Sequence, residues 1–290
     1  MSTPTSRVPH PIPYQGSKRG LAARILAVLP PGVRVLHEPF AGSAALSLAG
    51  LHAGVVRAVA LNDLNAPLMA LWRAVVTDPH ALADRYDALW RRQHDDPAGF
   101  YASVRRAFNA DPQPHRLLFL LARCVKAAVR YNARGEFNQS ADHRRRGTRP
   151  DTMRAHLVRA HELLARRCAL AATDYREALL AVGGDDVVYL DPPYEGVSTG
   201  PDGRYLAGVA PPELVDTLRD LVARDVMFVL SYDGRCGDRS YGVALPARLG
   251  LRRIEVDAGR SASATLHGRS ARTVESLYLS PALVGRAVSR

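Results

Sequence analysis

No two glycines in this 290-residue chain are separated by a single intervening residue, so it holds no Gly-x-Gly-x-x-Gly fingerprint, and it has no Walker sequence. Both absences argue against a dinucleotide or nucleoside triphosphate, whose phosphates need a cradle of backbone amides. Cysteine is scarce. Cys124, Cys168 and Cys236 form no Cys-x-x-Cys pair, which argues against a disulfide framework or structural metal and fits a reducing cytoplasm. The histidines show no metal-ligand spacing, so no metal is expected, and no Ser-His-Asp arrangement is evident. No apolar run is long enough to cross a bilayer, and the opening MSTPTSRVPHPIP lacks the apolar core of a signal peptide. Acidic residues are the last shortage: 28 Asp and Glu face 39 Lys and Arg, a net charge of +11 that suits a polyanionic partner.

The cations are not evenly spread. Between Arg123 and Arg149 stand Arg123, Lys126, Arg130, Arg134, Arg144, Arg145, Arg146 and Arg149, against only Glu136 and Asp142. Phosphate contacts explain such a run, because arginine both neutralises and clamps a phosphate backbone. A solvated loop is the alternative for Arg144 to Arg149.

The most telling residues are Asp191-Pro192-Pro193-Tyr194, directly after the apolar strand pattern Asp186–Leu190. Two prolines donate no backbone hydrogen bonds and hold φ near one value. They leave a rigid turn with free carbonyls, a carboxylate before it and an aromatic ring after it. Those parts can hold a flat base bearing an amine. Near the other end, Val33–His37 reads as a strand, Glu38-Pro39-Phe40-Ala41-Gly42-Ser43 as a turn, Ala44–Gly54 as a closely packed helix and Val55–Leu61 as a second strand closing on Asp63. This is the opening of a nucleotide-binding α/β unit, with Asp63 placed for a ribose diol. S-adenosylmethionine, a nucleoside needing no phosphate cradle, is the ligand left. Asp174, at another strand tip, reads either as a contact for the adenine amine or as a helix cap. Tyr14-Gln15-Gly16-Ser17-Lys18 precedes a helix over Leu21–Leu29, capped by Ser17 or Gly16. Lys18 opposes that helix's dipole, which a ligand carboxylate would explain.

Residues 1–13, with four prolines, read as a loosely held arm. Helical periodicity covers Pro67–Trp90, Gly99–Ala110 and His115–Val129 with no strand between them, so a mostly helical lobe is expected over 69–155. It divides the α/β domain into 1–68 and 156–290. In the latter part, helices are expected over Asp151–Arg166, Tyr175–Ala181 and Pro211–Arg224, and strands over Cys168–Ala171, Val226–Ser231, Leu251–Val256 and Val274–Leu279.

These ordered segments together resemble the Dam-type N6-adenine DNA methyltransferases, in which cofactor motifs come first and a target-recognition lobe precedes the catalytic motif. Tyr14 to Lys18 is similar to the family's aromatic-x-Gly-x-Lys segment and Glu38 to Ser43 to its cofactor loop. Asp63 matches its ribose acid, Asp174 (followed by Tyr175) the acid near the adenine, and Asp191 to Tyr194 its catalytic tetrapeptide. Arg130-Tyr131-Asn132-x-Arg134-Gly135-Glu136-Phe137-Asn138 resembles the start of its DNA-contacting hairpin. Arg260-Ser261-Ala262-Ser263 resembles its Arg-x-Ser segment near the flipped base.

The resemblance implies a Rossmann-like, S-adenosylmethionine-dependent methyltransferase fold of the α/β class with an inserted, mostly helical target-recognition lobe. It implies double-stranded DNA as substrate, S-adenosylmethionine as cofactor and a monomeric enzyme working in the cytoplasm at the nucleoid, with partner proteins not ruled out. The cofactor residues would be Tyr14, Gly16, Lys18, Glu38, Pro39, Phe40, Gly42, Ser43, Asp63, Asp174, Tyr175 and Asp191. Asp191, Pro192, Pro193 and Tyr194 would act on the base. Arg130 would read guanine, with Lys126 and Asn132 as further base contacts. Arg134, Arg144, Arg145, Arg146, Arg149, Arg260, Ser261 and Ser263 would hold DNA. Ala44 stands where the family's loop has a second glycine, and Val125–Val129 and Gln139–Asp142 depart from members that read GATC, so that target is not carried over. An RNA adenine methyltransferase and a catalytically silent DNA-binding module stay open as alternatives.

Overall fold

The computed structural model describes residues 7–193, 209–236, 239–241, 245–260 and 272–288. Tyr194, Ser261 and Ser263 lie outside them. β1 (Val33–Glu38), β2 (Val56–Asn62), β3 (Cys168–Ala171), β4 (Val187–Leu190) and β5 (Met227–Cys236) run parallel. β8 (Arg272–Leu279) pairs antiparallel with β5, and β7 (Arg252–Arg260) pairs antiparallel with β8. The order is β3-β2-β1-β4-β5-β8-β7, with the short β6 (Arg239–Tyr241) also on β5.

The four residues of β4 are all buried, as expected where helices cover both faces of a parallel sheet. α2 (Ala45–His52) is buried almost all round, and small residues let it approach. A Cβ on Gly50 would lie 3.1 Å from Val56 Cγ2, so glycine lets the helix sit this close to β2 without Val56 giving way. The chain leaves β1 through α2 toward β2 and β3, then crosses back to β4 on the other side of β1. That reversal opens a crevice at the carboxyl ends of β1 and β4, where open α/β sheets bind ligands.

Between β2 and β3 lie α3 (Ala66–Thr77), α4 (Pro79–Arg92), α5 (Pro97–Ala110), α6 (Pro114–Arg123) and α7 (Pro150–Leu164). The single helix expected over Pro67–Trp90 is therefore two. Pro79 keeps Asp78 out of the helical region (φ −149°, ψ 77°), and the Asp78 side chain then caps α4 by accepting from Ala81 N–H. The helix expected to reach Val129 stops at Arg123, because Cys124 is extended; Lys126 and Ala127 beyond it are left-handed. A hairpin-like excursion follows, bridged at Tyr131 and Phe137.

The arm is not loose over its described part. Ile12 is 2% exposed, Val8 packs on the core, and His10 N–H donates to His156 Nδ1 of α7 at 3.2 Å. Its prolines fix an extended segment whose apolar side chains cover the domain. β5 extends five residues past the expected Ser231. Among the described residues the remaining α-helices are α1 (Ala22–Leu26), α8 (Tyr175–Ala178), α9 (Pro211–Ala223) and α10 (Pro281–Val288).

Candidate active site

Asp191 is the first residue beyond β4, at the mouth of the crevice. Lys18 Nζ lies 2.9 Å from its Oδ1 and 3.4 Å from Glu275 Oε2 on β8. Ser231 Oγ of β5 donates to the same Glu275 oxygen at 3.1 Å. The Lys18 charge that opposes a helix dipole is thus met by carboxylates of the chain itself. A ligand carboxylate is not needed to explain it. Nor does Ser17 cap the helix with its side chain; its Oγ accepts from Ser43 Oγ at 2.8 Å.

Burial raises the pKa of Asp191, Lys18 opposes that rise and Glu275 adds to it; the net direction is upward. Glu38, at the end of β1, is buried and pushed up to about 7, chiefly by desolvation, with Asp191 contributing. Its Oε1 accepts Ser47 N–H in the first turn of α2 at 2.7 Å, which works against that rise. Three carboxylates therefore share this edge with the Lys18 ammonium, a local negative excess in a cationic chain.

The loop after β1 is fixed from several sides. Ala41 N–H donates to Asn62 O at 2.8 Å. The Asn62 amide donates to Pro39 O (3.1 Å) and Thr173 O (3.0 Å) and accepts from Thr173 N–H at 3.0 Å. One buried asparagine so ties together the ends of β1, β2 and β3. Gly42 has φ +47°, its N–H donates to Asp63 Oδ2 at 3.1 Å, and its carbonyl accepts from Trp72 Nε1 at 2.9 Å. The Tyr14 ring lies against it, so an added Cβ would sit 3.2 Å from Tyr14 Cε1. Gly16 is also left-handed (φ +84°).

Asp63 accepts from Asn65 N–H (3.0 Å) as well as Gly42 N–H, and burial nevertheless raises its pKa. Asp174 caps α8 by accepting Arg176 N–H at 2.9 Å, and the Arg176 guanidinium holds its pKa down. Phe40 and Tyr175 stack with ring centroids 4.9 Å apart, and Tyr175 donates to Glu213 Oε1 at 3.1 Å. Pro192 is buried, and Pro193 O accepts Val209 N–H at 3.4 Å.

The family model for D12 class N6 adenine-specific DNA methyltransferases matches residues 14–226, from the Tyr14 segment through β4 to the start of β5. The chain belongs to that family. It is 31% identical over 192 residues to the DNA N-6-adenine-methyltransferase of Escherichia phage P1, covering 63% of this chain and 23% of that protein. It is 27% identical over 193 residues to the retron Ec67 DNA adenine methylase of Escherichia coli, covering 64% of each. With the DNA adenine methylase of Escherichia coli (strain K12) the identity is 28% over 191 residues, again 64% of each. The chain thus spans less than two thirds of the length of these relatives.

In this D12 chain the cationic segment falls into two groups. Arg123 is 2% exposed and donates to the Asp142 carbonyl at 3.1 Å and to the Arg145 carbonyl; it holds the loop from inside and belongs to the core, not the cationic surface. Arg144 and Arg145 both reach Asp142 (3.1 Å each) yet stay largely exposed, and Arg146 lies 3.2 Å from His94 Nδ1. With Asp95 to Ala98 this loop lines an open cleft of about 430 Å³. Lys126 and Arg149 are exposed, and Arg130 is half-buried. The Asn132 carboxamide accepts Arg134 and Glu136 N–H (2.9 and 3.0 Å) and donates to Glu136 Oε2 (2.8 Å). It orders the hairpin turn, and Arg134 pairs with the same Glu136 at 2.8 Å. Arg260 ends β7.

Two residues of the edge escaped sequence reasoning. Glu275 lies beyond the matched span, in what reads as an ordinary strand, and Asn62 carries no motif. Little signal was available for either, because the same strands carry other polar residues, Arg272, Thr273 and Ser276 beside Glu275 and Arg57 before Asn62.

Proposed function

We propose that this chain methylates the N6 amine of adenine in double-stranded DNA, with S-adenosylmethionine as methyl donor. The observation that carries the reading is the Asp191 carboxylate, its pKa raised by burial, presented by two prolines at the crevice between β1 and β4 and countered by Lys18. A carboxylate and the free carbonyl of Pro192 suit an exocyclic amine, which offers two donors.

The residues around the crevice fit the cofactor. The carboxylate excess of Asp191, Glu275 and Glu38 suits a sulfonium and an α-ammonium group. The stacked Phe40 and Tyr175 rings, with Asp174 beside them, suit an adenine, and Asp63 stands at the end of β2 where a ribose diol would lie. When bound, S-adenosylmethionine supplies an electrophilic methyl group. The chain's part is alignment. A flipped adenine stacks on Tyr194, while Asp191 and Pro192 O accept hydrogen bonds from its amine and turn the nitrogen lone pair outward. A carboxylate with a raised pKa can also take the proton that the methylated amine sheds.

In this reading residues 69–155 form the target-recognition lobe between catalytic segments 1–68 and 156–290. Arg130 and Lys126 read bases, and Arg134, Arg144, Arg145, Arg146, Arg149, Arg260, Ser261 and Ser263 hold the backbone. Asn132 acts by holding the hairpin. Among the described residues no helix is long and apolar enough to cross a membrane; we assign the work to the cytoplasm. The test is transfer of tritiated methyl groups into unmethylated genomic DNA and, separately, total RNA, with single-molecule mapping of modified adenines. Label in DNA at a fixed short motif, lost in Asp191→Ala, is expected. Label in RNA alone, or full activity in Asp191→Ala, would overturn the assignment.

A further inference from the structure

Two hydrogen bonds join the recognition hairpin to the loop that shapes the cofactor crevice. Tyr131 sits at the base of the hairpin, its ring edge-on to Phe137 with centroids 6.0 Å apart. Phe137 is itself bracketed by Asn109 of α5, which accepts its N–H (2.8 Å) and donates to its carbonyl (3.0 Å). The Tyr131 hydroxyl reaches across to Asn65 Oδ1 at 3.2 Å, a partner 66 positions away in sequence. That oxygen already caps α3 by accepting Leu68 N–H at 3.3 Å, while Asn65's own N–H is held by Asp63 Oδ1 at 3.0 Å. Asp63 in turn holds Gly42 N–H. A continuous chain therefore runs from hairpin to crevice: Tyr131, Asn65, Asp63, Gly42.

A second link lies alongside. Gln15 N–H, within the segment that carries Tyr14 and Lys18, donates to Ala127 O at 2.9 Å. Ala127 and its neighbour Lys126 are both left-handed, with φ +52° and +59°. Each such residue costs about 1–2 kcal/mol, so two in succession persist only where their surroundings hold them. The strained pair leads directly into Ala128–Tyr131, and the Tyr14 ring packs on Gly42. Both links thus converge on the same glycine.

We propose that Tyr131 is a positioning residue that couples DNA engagement to cofactor affinity, acting through Asn65 on Asp63 and the Gly42 turn. The inference rests on the DNA-methyltransferase reading above. Binding that draws the hairpin into one position orders Asn65 and the acid beneath it, and an occupied crevice orders the hairpin in return. Such coupling is reciprocal by thermodynamic necessity.

The experiment is calorimetric titration of the full chain with S-adenosylhomocysteine, with and without sheared unmethylated genomic DNA, in wild type, Tyr131→Phe and Tyr131→Leu. DNA is expected to tighten S-adenosylhomocysteine binding about tenfold in wild type, within the usual span of allosteric coupling. Tyr131→Phe keeps the ring on Phe137 and loses only the hydroxyl. It should bind S-adenosylhomocysteine alone within about twofold of wild type, while its DNA enhancement falls to less than about twofold, a reciprocal loss that a purely structural role would not produce. Tyr131→Leu should lose the enhancement too. Full enhancement in Tyr131→Phe, or wild type binding both ligands without mutual effect, would overturn the coupling and leave the enzymatic reading intact. Wild type that binds neither ligand would overturn both.

Discussion

Lys18 Nζ stands 2.9 Å from Asp191 Oδ1 and is shared with Glu275, so the carboxylate that faces the crevice is balanced by a cation itself held from two strands. Asp191 follows β4 and Glu275 lies on β8, with β5 between them in the sheet. The pairing places the ammonium where it limits the rise in Asp191 pKa that burial imposes.

Removing that ammonium should therefore shift a pH profile in a fixed direction. In Lys18→Met, Asp191 loses its opposing charge and still faces Glu275, so its pKa climbs further. The acid limb of kcat/KM should move to higher pH, with activity at neutral pH falling by at least tenfold. Methyl transfer measured from pH 5.5 to 9 checks this; an unmoved limb would remove Asp191 from the titration.

Glu38 makes a prediction about stability. A carboxyl whose folded pKa is raised from 4.5 to about 7 keeps its proton longer in the folded chain than in the unfolded one. Folding then binds protons between those values, and stability falls as pH rises through that window. The penalty at pH 8 is at most about 3–4 kcal/mol, given roughly 1.4 kcal/mol per pKa unit. Glu38→Gln keeps an acceptor for Ser47 N–H and should flatten this slope. Urea midpoints at pH 5 and pH 8 should converge in the variant relative to wild type.

Ala44 sets two magnitudes against each other. It is left-handed (φ +47°, ψ +37°) and completely buried. Replacement by glycine relieves about 1–2 kcal/mol of strain. It also deletes a buried methyl group worth about 0.8 kcal/mol and adds unfolded-state entropy of about 0.5–1 kcal/mol. Ala44→Gly should thus change stability by less than about 1 kcal/mol, whereas Ala44→Val, branched at Cβ in the same conformation, should unfold the loop. Thermal melts separate the two, and S-adenosylhomocysteine binding should survive only in the glycine variant.

Arg123 and Arg144 should behave in opposite ways despite their shared charge. Arg123→Ala strips buried carbonyls of their donor and should cost about 3 kcal/mol of stability. Arg144→Ala, at an exposed site, should change stability by no more than about 0.5 kcal/mol. It should instead lower the salt dependence of DNA binding by about 0.9 in the slope of log K against log salt, one phosphate contact. Denaturation and salt-titrated binding, run on both variants, test the division.

Local chemistry wrote much of this protein into its sequence. The strand Val187–Leu190 is legible because a parallel sheet buried on both faces requires continuous apolar runs. The Asp191 turn is legible because two prolines leave few conformations, and family membership followed from such short segments in order. Helix limits were less legible where one position decides them. Pro79 split a helix that periodicity runs together, and the left-handed Lys126 and Ala127 follow a helix already ended at Arg123. What only the tertiary structure decided was partnership. Glu275 and Lys18, Tyr131 and Asn65, and Asn62 and Thr173 are 66 to 257 positions apart, and the side chains carry no mark of one another. Sheet order brings the first and last pairs within hydrogen-bonding distance or a little beyond, and the packing of the helical segment between β2 and β3 brings Tyr131 to Asn65. Likewise, burial alone separates Arg123 in the core from Arg144 on the surface, because charge counted along a chain does not say which way a side chain faces.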